Sequence, residues 1–72
     1  MEHPRISRDP KIMVGKPCIK GTRITVEHVL REVAGGSSIE LIANEYLLDR
    51  DDVVAAIVYA SDFIRHESLI AA

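Results

Sequence analysis

The stretch SSIELIANEYLLDRDDVVAA, residues 37–56, decides the fold of this 72-residue chain. Apolar residues recur in it at the three- and four-residue spacing of a helix, on either side of Leu47-Leu48. Ser37 with Glu40 forms a capping-box pattern that begins one helix, and Asp49 is a good N-cap for the next. Two amphipathic helices joined by so short a link are typical of a helix-turn-helix.

The segments on both sides extend this pattern. Before it, Thr25 is the expected N-cap of another helix, which Gly35-Gly36 ends. The buried stripe of that first helix is expected to contain Val26, Val29, Leu30, Val33 and Ala34. The last helix has one apolar stripe of Val53, Ala56, Ile57, Ala60 and Ile64, and a second of Val54, Val58 and Phe63. A helix with two apolar faces is either enclosed on both sides within its own domain or shared with another chain, and in so small a domain we favour the second alternative.

The residues before Ile24 have no helical period and contain frequent breaks. Cys18-Ile19 and residues 22–24 flank Lys20-Gly21, which predicts a hairpin with a two-residue turn, and Ile6-Ser7 is a candidate third strand. We therefore expect a mainly α fold: a tri-helical helix-turn-helix bundle, homeodomain-like or winged-helix-like, preceded by a short β-hairpin. One domain comprises the extended segment 1–24, the three helices within 25–66 and the tail 67–72.

The composition, 47% hydrophobic with three prolines and four glycines, is typical of a globular chain. Its longest apolar run, Val53–Ala60, is far shorter than the roughly 20 residues of a membrane span, and the first residues do not resemble a signal peptide. We expect a cytoplasmic protein with no membrane contact, in which the single Cys18 forms no internal disulfide. Self-association is expected, since so small a domain has a limited core.

Charge is distributed unevenly along the chain. Seven Lys/Arg residues stand against three Asp/Glu residues through Arg31, and two against eight from Glu32 onward. Nucleic-acid contacts are therefore expected in the first half, where a basic turn presents Lys16, Lys20 and Arg23. A solvated loop, or pairing of the basic half with the acidic half of a second subunit, explains the same pattern.

The last helix is a poor reader of DNA bases, because its first turn is acidic and only Arg50 suits DNA. Catalysis also finds little support, since the three histidines are far apart in sequence and Cys18 has no activating motif. A hard cation could bind Asp49, Asp51 and Asp52, but a helix cap and the helix dipole account for these carboxylates. We expect no catalytic residue, no metal and no cofactor.

Several short motifs in fixed order resemble the bacterial and archaeal domain of unknown function 433 family, over about Ile6 to Tyr59. They are Asp9-Pro10, Gly15-Lys16-Pro17, Ile19-Lys20-Gly21-Thr22-Arg23-Ile24 with Val26, Gly36-Ser37, Tyr46 and Asp52-Val53. The resemblance implies a small three-helix domain related to helix-turn-helix proteins. One departure is Leu47, where the family often has proline after the tyrosine. A more apolar link at that point is expected to tighten the turn.

Many members of this family look like antitoxins encoded beside PIN-like ribonuclease toxins. The resemblance therefore implies a protein that binds and silences such a toxin and, as a dimer, represses its own operon. We expect the acidic second half to bind the toxin through Val54, Val58, Asp62 and Ile64, and the basic residues to contact DNA. The rival hypothesis is a stand-alone DNA-binding regulator without a toxin partner.

Overall fold

A computed structural model describes the backbone of residues 2–71 and the side chains of residues 2–66. Its elements are β1 (Ile6–Ser7), a short 3₁₀ helix (Met13–Gly15), β2 (Cys18–Ile19), α1 (Val26–Ala34), α2 (Ile39–Glu45) and α3 (Arg50–Ala71). The expected mainly α fold with three helices after a short antiparallel β-segment is confirmed. Within residues 2–71, no helix is both long enough and apolar enough to cross a membrane.

Helix α1 begins and ends where the sequence predicts. The Thr25 hydroxyl accepts a hydrogen bond of 3.0 Å from the His28 N–H, which satisfies one of the free donors of the first turn. At the other end Gly36 has a φ of 101° and donates to the carbonyl of Val33, while Ser37 donates to that of Glu32. This pair of bonds is a Schellman motif, and its left-handed position favours glycine.

Helix α2 begins one residue later than the capping-box pattern predicts. The N-cap is Ser38, whose hydroxyl accepts from the Leu41 N–H at 3.1 Å, and not Ser37. The difference arises because Ser37 already donates its N–H to Glu32 in the closure of α1. Two adjacent serines both suit a cap, and the end of the preceding helix determines which one is used.

The link between α2 and α3 covers residues 46–49, the length of a helix-turn-helix connection. Leu47 has a φ of 55° there, and Leu48 donates its N–H to the Ala43 carbonyl at 2.8 Å. The Leu47 side chain is 94% exposed, so its apolar surface does not pack within the link. Tyr46 and Leu48 are the link residues that pack against the core.

The two-stranded sheet is antiparallel, and the strand beside β2 is Ile6–Ser7, the candidate third strand of the sequence analysis. β2 pairs with β1, with Ile6 opposite Ile19 and Ser7 opposite Cys18. Residues 22–24 are not a strand, because the Thr22 N–H and hydroxyl both donate to the Ile19 carbonyl, at 3.0 and 2.7 Å, and close a tight turn. The chain after this turn still pairs with β2 as the expected hairpin does: Ile19 donates to the Ile24 carbonyl at 2.9 Å, and Cys18 and Thr25 form an antiparallel bridge. Gly21 is the third residue of this turn and has a φ of 80°, the positive value that this position of the turn requires.

The core lies where α3 packs against α1, α2 and both strands. Its fully buried members come from every layer: Ile19, Val26, Val29, Ile42, Val53 and Ala56. Ile57 and Ala60 pack against this cluster, as the stripe on α3 predicts. Beyond Ala60, α3 leaves the core, since from Ser61 to His66 every side chain is exposed except the half-buried Asp62.

Candidate functional site

Two of the four predicted partner-binding residues share one surface. Val54 and Val58 are one turn apart on α3 and line a shallow depression of about 320 Å³. Asp51 and Ala55 of the same helix complete one side, and the N-terminal arm, residues 2–5, forms the other. Val58 is 43% exposed. We refer to this region, Val54 and Val58 with Asp51 and residues 2–5, as the acidic α3 surface.

The charges around this surface are unbalanced. Arg5 donates to Asp52 at 2.9 Å and lies 3.9 Å from Asp49, and the hydrogen bond from its guanidinium to Asp52 raises the pKa of Arg5. Among residues 2–66, Glu2 and Asp51 form no ion pair. The one base at this surface is therefore already paired, and the uncompensated charge is negative.

Asp62, the third predicted partner residue, holds the N-terminal arm in place. Its Oδ2 lies 3.2 Å from Nε2 of His3, and both side chains are largely shielded from solvent. The His3 ring also meets the Tyr59 ring edge-on, with 5.0 Å between centroids. The contact between His3 and Asp62 links the N-terminal arm to α3. Asp62 therefore supports the arm, which forms one side of the acidic α3 surface, and is not itself part of that surface.

Ile64, the fourth, lies apart from the others. It lines an apolar groove of about 340 Å³ between the start of α1 and the second half of α3. The groove residues are Arg8, Pro17, Val26, Glu27, Leu30, Tyr59, Ala60, Phe63 and Ile64. Phe63 and Ile64 are 53% and 61% exposed. The four predicted residues are therefore not one surface: Val54 and Val58 lie on the acidic α3 surface, Asp62 lies against His3, and Ile64 lines the groove.

Two of the predicted DNA-binding residues are neutralised within the chain. Lys16 lies 3.3 Å from Glu27, and Arg50 lies 2.9 Å from Glu40. Hydrogen bonds from Lys16 and Arg50 lower the pKa of Glu27 and of Glu40, respectively. Arg31 also contacts Glu27, at 2.6 Å. These basic groups have less charge available for phosphates than a residue count suggests.

Lys20 and Arg23, the other two, are exposed at the tight turn and have no acidic partner in the described part of the chain. Arg8 and Lys11 are likewise exposed and have no acidic partner in the described part of the chain, although they were not among the predicted DNA-binding residues. Their position in the basic first half is the sequence feature that could have indicated them.

A hydrogen-bonded group that the sequence did not reveal joins α1 to the end of α2. The Tyr46 hydroxyl donates to Glu32 at 3.1 Å and lies 2.6 Å from Nε2 of His28. Because the hydroxyl has one proton, His28 must donate from Nε2. Burial, together with Glu32 and Glu45, raises the pKa of Tyr46 to about 12. The i, i+4 spacing of His28 and Glu32 was the only hint of this arrangement.

The carboxylates at the start of α3 are used structurally. Asp52 accepts a hydrogen bond of 3.1 Å from the Asp49 N–H, as the partner in a helix cap does, and also pairs with Arg5. Within residues 2–66, no three His, Cys, Asp or Glu side chains are grouped as a metal would require. Cys18 is buried, and this burial raises the pKa of its thiol.

Comparison with known proteins adds a family. The family described as "Protein of unknown function (DUF433)" matches residues 6–60, most of the chain. The chain belongs to the DUF433 family. This confirms the resemblance carried by the ordered motifs, over nearly the same span. No curated protein and no solved structure matches the chain.

Proposed function

We propose that this DUF433 chain is an antitoxin-like interaction protein that binds and silences a PIN-like ribonuclease. In this proposal it acts in the cytoplasm as a homodimer, by binding alone and without a catalytic step of its own. The observation that carries the proposal is the acidic α3 surface, where Val54 and Val58 lie beside Glu2 and Asp51, two acids that form no ion pair among residues 2–66.

The chemistry of the partner explains why such a surface fits. An enzyme that cleaves RNA presents basic groups to the phosphates, and an acidic surface attracts those groups at a distance. Charge alone gives orientation and a fast encounter more than tight binding. The partly exposed Val58 supplies an apolar centre of the kind that contributes most of the binding energy in an interface.

Co-expression with the nuclease encoded by the neighbouring gene tests the proposal. The wild-type chain is expected to purify as a stable complex with it. Val58→Lys places a like charge against the basic partner and is expected to reduce capture more than about tenfold. Leu41→Lys is the matched control, because Leu41 is also an exposed apolar residue, on α2, and lines neither surface.

Failure of the wild-type chain to capture a PIN-like neighbour would contradict the toxin assignment. Equal loss of capture in both lysine variants would contradict the assignment of the surface. Far-UV circular dichroism of the free variants separates a loss of binding from a loss of fold.

DNA binding is the second candidate, as part of autoregulation or as the whole function. It is favoured by Lys20 and Arg23, which are exposed at a tight turn and form no ion pair with any acid of residues 2–66. Lys16 and Arg50 have weaker claims, since each already contacts a carboxylate.

Binding to the chain's own promoter should weaken steeply with salt, and the logarithmic salt slope should fall by about 1 when Lys20→Ala removes one phosphate contact. Arg23→Ala should weaken binding in the same way. Lys11→Ala is the comparison within the same basic segment. Promoter binding without any protein partner would favour the stand-alone regulator, and an unchanged salt slope in Lys20→Ala would contradict a phosphate contact at this turn.

A further inference from the structure

The contact between His3 and Asp62 depends on charge and not on a hydrogen bond. The Asp62 Oδ2 atom is buried and lies 3.2 Å from His3 Nε2, yet it accepts no hydrogen bond within the described part of the chain. A buried carboxylate oxygen without a hydrogen bond is costly, and a positive charge on the neighbouring imidazole offsets that cost. Histidine is the side chain that gains or loses its proton between about pH 5 and about pH 8, so we expect the contact to depend on pH.

The groups around His3 offer Asp62 no second base, as far as the described residues show. The ionisable side chains that surround His3, from the N-terminal arm and from α3, are Glu2, Arg5, Asp51, Tyr59 and Asp62. Arg5 is the one base among them, and it is already paired with Asp52. Among residues 2–66, Asp62 forms an ion pair with His3 alone. Loss of the His3 proton therefore leaves the buried Asp62 oxygen without a positive charge beside it, and solvation by water becomes the better alternative.

The N-terminal arm is fixed at one end and held by His3 at the other. Arg5 is fixed by its bond to Asp52 and by its carbonyl, which accepts a hydrogen bond of 2.8 Å from the Lys20 N–H. Before Arg5, the pair formed by His3 is the only ion pair that joins residues 2–4 to the rest of the described chain. Release of His3 therefore frees residues 2–4 and leaves Arg5 in place.

We infer that residues 2–4 form a pH-dependent cover on α3, closed over Asp62 when His3 is protonated and open when His3 is neutral. Val54, Val58 and Asp62 follow one another at four-residue spacing on one face of α3. Opening therefore extends the acidic α3 surface by one carboxylate. This effect on nuclease binding rests on the proposed function, whereas opening itself is a property of the free chain.

Nuclear Overhauser contacts between the carbon-bound ring protons of His3 and Tyr59 test the inference on the free chain. The two rings lie 5.0 Å apart when the cover is closed, so the contacts are expected at about pH 5.5 and should be lost at about pH 8. Asp62→Asn removes the charge that His3 pairs with, and the contacts should then be equally strong at both pH values. His66→Gln is the matched control, because His66 is an exposed histidine of the same helix, and this variant should keep the wild-type pH dependence.

Ring contacts that persist unchanged at the higher pH, or a pH dependence that survives in Asp62→Asn, would overturn the inference. Nuclease capture gives a second measurement. Between the same two pH values, capture by the wild-type chain should strengthen about threefold more than capture by Asp62→Asn, and the titrating groups of the nuclease cancel in this comparison. Equal strengthening in both chains would refute the extension of the acidic α3 surface. Absence of capture at either pH would contradict the proposed function, and the ring contacts would still decide whether the cover opens.

Discussion

At the scale of single residues, Tyr46 connects two helices through a polar group that is complete in itself. Its hydroxyl donates to Glu32 and accepts from His28, so each of the three side chains has a partner at a half-buried site. A polar group of this kind is stabilising when every member is paired. The sequence could not reveal it, because a tyrosine at the end of an apolar stripe reads as a packing residue.

The raised pKa of Tyr46 predicts how stability depends on pH. Its folded-state pKa is about 12 against an ordinary 10, so above pH 10 the unfolded chain loses this proton before the folded chain does. The Tyr46 contribution is complete below pH 10, and the free energy of unfolding should fall as pH rises from about 10 to about 12. Urea unfolding across this range measures it.

Tyr46→Phe should remove this part of the pH dependence, and Tyr59→Phe, at the other tyrosine, should retain it. The basic side chains that also titrate at high pH are common to both variants and cancel in the comparison. Identical pH profiles for the two variants would show that Tyr46 is not the group responsible.

At the scale of elements, the ends of helices were easier to predict than the pairing of strands. Thr25 and Gly36 determine the ends of α1 through bonds to residues three or four positions away, which a sequence displays directly. The main partner of β2 is Ile6–Ser7, more than ten residues earlier, and the predicted hairpin partner meets β2 only through the Cys18–Thr25 bridge. A two-residue strand has too little pattern to specify which neighbour pairs more fully.

The backbone conformation of the turn between α2 and α3 explains why this chain has leucine at position 47, where the family often has proline. Leu47 occupies the left-handed position after α2, with a φ of 55°. Proline cannot adopt this conformation, since its ring fixes φ near −65°. A family member with proline here must therefore connect the two helices differently, and this chain uses a left-handed leucine where glycine is the usual solution.

Leu47→Gly should stabilise the protein by about 0.5 to 1 kcal/mol, because relief of left-handed strain exceeds the added flexibility of the unfolded chain. The exposed side chain contributes little packing that could be lost. Leu47→Ala keeps the strain and should change stability by less than about 0.5 kcal/mol. Chemical denaturation measures both, and a destabilised glycine variant would contradict this account of the turn.

At the scale of the whole molecule, the distribution of charge could be predicted only in part from the sequence. The sequence correctly indicated a basic first half and an acidic second half. It could not display that Lys16 and Arg50 contact Glu27 and Glu40, since ion pairs between elements depend on the fold. It also could not separate Ile64 from Val54 and Val58, because only the packing of α1 and the N-terminal arm divides α3 into two surfaces.

The acidic α3 surface is the part of the molecule proposed for a basic nuclease. Val58 is its partly exposed apolar centre, and among residues 2–66 the neighbouring acids Glu2 and Asp51 form no ion pair. The central proposal is that binding at this surface silences an enzyme.

Cleavage of RNA by the purified neighbouring nuclease, titrated with this chain, tests that central claim most directly. The account predicts that cleavage stops near one chain per nuclease, that Val58→Lys needs more than about tenfold higher concentration, and that Leu41→Lys inhibits like the wild type. Undiminished cleavage in the presence of a large excess of the folded wild-type chain would contradict it.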